Sequence, residues 1–168
     1  MRRLLLVSTV SLLLAGPAST QSPQKSTATF DDWTVSCVFD GETKKQACEI
    51  IQVQMLPEQA APVSQITIGA PTTEKLYKIL IQVPANIWIP NGVKLAADEK
   101  DSGSMAAFRW CVSTRCLADM EVKEEIIRKL QAGGTGRLSF KDSSQADFVI
   151  AVSFKGLPDA LSYMGKQK

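Results

Sequence analysis

Histidine is absent from all 168 residues. That absence removes Ser-His-Asp triads, Cys-His dyads and His-bearing metal centres at once. C-x-x-C is missing too, which excludes a thioredoxin-like redox pair. Long apolar runs are scarce: Leu4 to Leu14 spans 11 residues, against the ~20 that a bilayer-crossing helix needs. Later runs such as Ile79-Leu80-Ile81 and Phe148-Val149-Ile150-Ala151-Val152 are the size of strands. Neither sign of charge is in surplus. There are 19 basic and 17 acidic side chains, and without Arg2 and Arg3 both counts are 17. A nucleic-acid footprint needs clustered Lys and Arg well in excess. Lys44-Lys45, the densest basic pair of the body, reads as a solvated hairpin tip.

The N-terminus carries an export signal. Arg2 and Arg3 form its basic region, Leu4 to Leu14 its apolar region, and Ala15 to Thr20 a zone of small residues suited to cleavage. Residues 1–20 are therefore expected to be a signal peptide that leads to the bacterial periplasm, with outer-membrane association or secretion as further destinations. Gln21 to Thr29, rich in Ser, Thr, Gln and Pro, is expected to be a flexible tether. Residues 30–168 are one domain of common size.

From Phe30 the hydrophobic period is two. Trp33, Val35, Cys37 and Phe39 alternate with Asp32, Thr34 and Ser36, as a half-buried strand requires. Asp40-Gly41 marks a turn, and Gln46 to Met55 returns. There the parity breaks, with Cys48 and Ile50 on one face but Ile51, Val53 and Met55 on the other, so a β-bulge is expected near Ile50-Ile51. Further strands are expected at 64–69, 75–83, 93–97, 108–112, 136–141 and 148–154, separated by Pro and Gly breakers. Short strands at such intervals argue a sandwich or barrel. Trp33, Val35, Ile79, Ile81, Phe140, Ile150 and Val152 lie on the apolar parity and are the predicted core. A helix is expected near residues 120–131, capped by Asp119, striped by Val122, Ile126, Ile127 and Leu130, and ended by Gly133-Gly134. Glu124 with Arg128 and Glu125 with Lys129 make i,i+4 pairs on its wet face. A short C-terminal helix is expected from Pro158 to Met164.

Four cysteines behind an export signal read as disulfides. Three connectivities are open to them. The spacings favour nearest neighbours, Cys37 with Cys48 across a hairpin and Cys111 with Cys116 around a tight loop. Loop-closure entropy makes the two rings worth ~2.8 and ~2.2 kcal/mol. A four-thiolate metal site fits neither the spacing nor an oxidising compartment.

No residue pattern demands catalysis. Asp31-Asp32 are strand neighbours and point to opposite faces. Asp98, Glu99 and Asp101 form an acidic loop that reads as a solvated turn before it reads as a weak Ca²⁺ site. Gly133-Gly134-Thr135-Gly136 follows a helix where a phosphate loop precedes one, and carries no Lys-Ser/Thr. No catalytic, cofactor-binding or metal-ligating residue is assigned, and no cofactor is expected.

The chain resembles the invasion-associated locus B family of exported bacterial proteins. The resemblance rests on Asp32-Trp33-x-Val35-x-Cys37, on Cys48, and on Pro90-x-Gly92 with Leu95 and Asp98. It continues through Phe108, Cys111, Cys116-x-Ala118, Leu130 and Gly133, and more loosely through Gly156 to Leu161. Arg115 departs from it, standing where Gly is expected. The resemblance implies a mainly β, immunoglobulin-like β-sandwich exported to the periplasm or cell surface. For pathogenic members it implies a role in entry into host cells.

Together these features point to a non-enzymatic binding protein with an unidentified protein or envelope partner. A small carboxylate-dependent hydrolase of envelope polymers and a structural envelope component are the alternatives. Trp88 is the candidate contact residue. It lies between two Ile residues in Asn86 to Gly92, bounded by Pro84 and Pro90, where a regular central strand is disfavoured. The competing role for this stretch puts Ile87 and Ile89 in the core with Trp88 flat over the sheet.

Overall fold

The computed structural model describes residues 24–57, 61–71 and 74–167. The expected signal peptide and the first residues of the expected tether lie outside the described residues. Alternation of apolar and polar side chains builds the strands in chain order. They are β1 (Gln24–Phe30), β2 (Trp33–Asp40), β3 (Lys45–Gln54), β4 (Ser64–Gly69) and β5 (Leu76–Pro84). After a single 3-10 turn at Ile89–Asn91 come β6 (Val93–Ala96), β7 (Ser104–Cys111), β8 (Arg115–Lys123), β9 (Thr135–Lys141) and β10 (Asp147–Ser153). Helix α1 (Glu124–Ala132) follows β8, and α2 (Leu157–Gly165) follows β10.

The chain is mainly β, but its strands are not divided between two facing sheets as the expected immunoglobulin-like sandwich requires. They form a continuous ten-stranded antiparallel sheet in the order β1-β2-β3-β4-β5-β8-β7-β6-β9-β10. That sheet curls into a half-barrel. The end of β10 returns to β2 and β3, where the Trp33 indole Nε1 donates to the Ser153 carbonyl at 3.0 Å. Gln52 Nε2 donates to the same carbonyl at 2.6 Å. Strands with one apolar parity bury that face wherever the sheet bends back on itself, so alternation alone leaves sandwich and half-barrel indistinguishable. All seven predicted core residues are buried, with Trp33, Val35, Ile79, Ile81 and Val152 fully enclosed.

Residues 24–29, expected in the tether, instead belong to β1, which pairs with β2 from Gln24↔Phe39 to Phe30↔Trp33. Its polar composition is that of an exposed edge strand, held by main-chain bonds and guarded by Lys25. The expected bulge at Ile50-Ile51 is absent, since β3 runs in unbroken register with β2 through Cys37↔Cys48, Val35↔Ile50 and Thr34↔Ile51. The inward parity continues from Ile50 to Gln52 and Gln54, leaving Val53 exposed. Hydrogen bonding makes the buried amides tolerable. Gln54 Nε2 donates to Gln52 Oε1 at 2.6 Å, and the Ser64 hydroxyl donates to Gln54 Oε1 at 2.5 Å. A bulge occurs instead in β7, between Phe108 and Trp110.

Asp119 does not cap the helix. It lies inside β8, opposite Leu80 of β5 and Ala107 of β7. Cys116, Ala118, Met120 and Val122 alternate inward along that strand, and Val122 joins the strand rather than the helical stripe. The helix begins at Glu124, with Glu124 and Glu125 in its first turn, where the helix dipole favours carboxylates. It buries Ile127 and Leu130. Glu124 pairs with Arg128 at 3.5 Å. Lys129 reaches Asp101 at 3.4 Å, not the expected Glu125.

Candidate functional site

The segment from Pro84 to Gly92 leaves the end of β5 and crosses one end of the half-barrel. Backbone bonds hold it on both sides. Ala85 N–H donates to the Thr114 carbonyl in the β7–β8 turn at 3.2 Å, and Trp88 N–H donates to the Lys141 carbonyl of β9 at 2.8 Å. Ile87 forms an isolated bridge with Asp142 and is 8% exposed, so it anchors the segment in the core. Trp88 and Ile89 stay outside, at 36% and 47% exposure. The two expected roles are thus divided among neighbours: Ile87 is core, Ile89 is not, and Trp88 keeps a substantial open surface.

Gly92 explains why this segment holds one shape. Its φ is +64°, and a Cβ there would lie 2.5 Å from the Ala106 carbonyl oxygen. Only glycine combines the left-handed backbone with that close approach to β7. The fold therefore presents Trp88 on a loop fixed at Ala85, Ile87, Trp88 N–H and Gly92.

The β7–β8 hairpin at the same end adds residues that the alternation missed. Trp110 and Val112 are each 55% exposed. The bulge pairs Trp110 with the half-buried Leu117, while Phe108 pairs with the buried Ala118. Trp110 is thereby turned to the outer face. The available signal was local: Trp110-Cys111-Val112 sits between Arg109 and Arg115 beside a disulfide. Arg115, in the place where glycine was expected, begins β8, and its carbonyl oxygen accepts from Val112 N–H at 2.8 Å.

Both cysteine pairs form as nearest neighbours. Cys37–Cys48 bridges β2 and β3, and Cys111–Cys116 bridges β7 and β8, each with Cα atoms 4.0 Å apart. No described cysteine is free. They clip the sheet at the β2–β3 and β7–β8 hairpins.

Several carboxylates have structural duties. Asp98 Oδ1 accepts from Lys100 N–H and Asp101 N–H at 2.7 and 2.8 Å, which closes the acidic loop. Asp101 Oδ2 accepts from Ala97 N–H at 2.9 Å, and that bond holds its carboxyl below the usual range. Asp119 is held low chiefly by the Arg109 guanidinium, with Lys78 Nζ at 3.2 Å on the other oxygen. Asp40 and Asp142 are held low first by the hydroxyls of Thr43 and Ser144. A general acid needs a raised pKa, and these four are displaced the other way. Asp31, in the β1–β2 turn, pairs with Lys155 at 3.0 Å. Among the described residues, no group of three or more His, Cys, Asp or Glu converges as metal ligands do. No described helix is long and apolar enough to cross a membrane.

The crystal structure of invasion associated protein B from Bartonella henselae has the same fold. It superposes with a TM-score of 0.74 at 19% sequence identity, covering 83% of this chain and 95% of that one. No curated protein matches the chain. The profile of the invasion associated locus B (IalB) proteins matches residues 33–165, from the indole that closes the half-barrel to the end of α2. The chain belongs to the IalB family.

Proposed function

We propose that this chain is an exported, non-enzymatic binding protein whose partner contacts the rim carrying Trp88 and Ile89. The observation that carries the proposal is an exposed Trp-Ile pair on a loop tied by backbone bonds to the β7–β8 turn and to β9, with a buried Ile87 and a close-packed glycine. Large apolar side chains held rigidly in solvent lose little entropy on binding, and tryptophan is enriched among interface hot spots. The two disulfides suit an oxidising compartment outside the cytosol. Family membership supports a host-interaction role where the source bacterium is a pathogen, with the contact made from the periplasm or the outer cell surface.

Trp88→Ala tests the proposal. The variant and the parent chain are compared for binding to isolated envelope fractions and to host-cell plasma membranes, alongside their melting temperatures. Binding lost with melting unchanged supports the rim as the contact. Binding retained in full, or melting lowered by many degrees with binding retained in the folded fraction, makes Trp88 structural and overturns it.

A further inference from the structure

The tip of the β7–β8 hairpin has features that the Trp88 rim does not require. Val112 N–H donates to the Arg115 carbonyl at 2.8 Å, and Cys111–Cys116 staples the strands immediately behind. Beyond that staple Val112 is 55% exposed, and Trp110 beside it is exposed to the same degree. The hairpin's own charges are of one sign. From Ser104 to Ala118 the chain contains Arg109 and Arg115 but no Asp or Glu. The segment bonded to the tip through Ala85 has no acidic residue of its own from Pro84 to Gly92, and the acidic residue bonded to it is Asp142, across the bridge to Ile87. Asp119 answers Arg109 on the sheet below the tip.

We infer that the Arg109–Arg115 hairpin tip docks on the surface of an anionic bilayer, with Trp110 and Val112 entering the headgroup layer. Arg115 at the tip, together with the one positive charge left over where Lys78 and Arg109 share Asp119, complements anionic headgroups. Tryptophan seats its ring at the headgroup level, where an apolar body and a polar N–H are both satisfied. The size of the tip favours a bilayer over a protein partner. Two side chains on one turn fall far short of the roughly 800 Å² per partner that a stable protein interface buries, whereas a lipid surface accepts a small apolar insertion supported by basic residues. The bulge turns Trp110 outward and the staple closes the turn that carries Val112, so little ordering remains to be done on contact. Attachment is weak and reversible, since one turn carries neither an acyl chain nor an amphipathic helix. This inference stands independently of the Trp88 proposal, because it rests on other residues and a different partner chemistry.

The test is co-sedimentation of the chain from Gln21 onward, which contains every described element, with two sets of vesicles. One is phosphatidylethanolamine with phosphatidylglycerol; the other is phosphatidylcholine alone. The chain is expected to pellet with the first set at low salt, and to be released as salt screens the basic residues. Trp110→Ser with Val112→Ser should lower the bound fraction roughly tenfold while leaving the melting temperature unchanged, because both side chains are exposed. Arg115→Gln should weaken binding to the anionic vesicles without removing the apolar contact. No pelleting with anionic vesicles at low salt overturns the inference, as does pelleting that the double variant leaves intact. Equal pelleting with both vesicle sets overturns the charge component. Trp88→Ala is carried in parallel and should pellet as the parent does, so failure of the tip and failure of the rim give different results.

Discussion

Replacing Trp33 with Ala probes the closure of the half-barrel. The indole is completely enclosed, and its Nε1 donates to the Ser153 carbonyl, 120 positions away in sequence. It therefore joins the start of β2 to the end of β10. Truncation to Ala should cost ~3–5 kcal/mol, combining lost transfer energy with the cavity left behind. For a chain of this size each kcal/mol lowers Tm by roughly 2–4 °C, so a fall on the order of 6–20 °C is expected. Trp33→Phe separates packing from the hydrogen bond. The Ser153 carbonyl keeps its second donor, Gln52 Nε2 at 2.6 Å, so no buried acceptor is stranded. Loss of one hydrogen bond and part of the ring should cost about 1–2 kcal/mol. Urea unfolding followed by far-ultraviolet circular dichroism measures both variants without relying on the removed fluorophore. A Trp33→Ala cost below about 1 kcal/mol, the range of ordinary surface changes, would refute enclosure of Trp33 and the closure built on it.

Gln54→Ala should destabilise by about 1–3 kcal/mol, because it strands Gln52 Oε1 and removes the acceptor of the buried Ser64 hydroxyl; a urea melt indistinguishable from the parent's would mean the buried amides are hydrated. Gly156→Ala should cost on the order of 2–3 kcal/mol from positive φ alone. Its φ is +85°, and a Cβ there would lie 2.0 Å from the Phe30 carbonyl oxygen. Thermal melting of that variant at or above the parent's would contradict the turn. The carboxyl of Asp119 has a folded pKa below its unfolded value, so the unfolded chain binds the proton more tightly. Its contribution to stability is present above the unfolded pKa of about 4 and is lost as pH falls through the lower folded value. Asp119→Asn should therefore weaken the fold at pH near 7 and flatten its acid limb below about pH 4. Parallel stability–pH curves for the two chains would remove Asp119 from the acid response.

The alternation in β2 was legible because Trp33, Val35 and Cys37 all face the core, so every second residue from Trp33 to Cys37 is apolar. The disulfides were legible for a related reason: each pair flanks a turn, which places its members directly opposite in the ladder. β1 was hidden because an edge strand draws its stability from main-chain bonds and has no need of an apolar pattern. β8 was hidden by its end. Val122 is inward on the strand, yet it also lies four positions before Ile126 at helical spacing, and the two periods overlap across Lys123. At β3, buried Gln52 and Gln54 made the inward face look polar, and a bulge was the cheaper reading of a parity that in fact never breaks. Curling of one sheet depends on contacts such as Trp33 with Ser153, which no local window contains.

The candidate rim was half legible. Trp88 was marked by prolines on both sides and by flanking Ile residues, but the separate fates of Ile87 and Ile89 depend on the bridge to Asp142 and on the turn at Ile89–Asn91. Trp110 escaped notice because the bulge in β7 shifts its parity, so its outward direction follows from register rather than composition.

Photo-crosslinking in living cells is the most direct measurement of the claim that this end of the half-barrel is the contact surface. A photoreactive residue replaces Ile89, which is 47% exposed at the rim, or Val38, which is 40% exposed at the far end of β2 near the Asp40–Lys45 turn. Similar exposure gives both positions a similar chance of random capture. A discrete adduct from position 89 that is absent from position 38, and that disappears with Trp88→Ala in the same chain, is the predicted result. The same adducts from both positions, or none from position 89 in cells where the protein is correctly exported and folded, would contradict it.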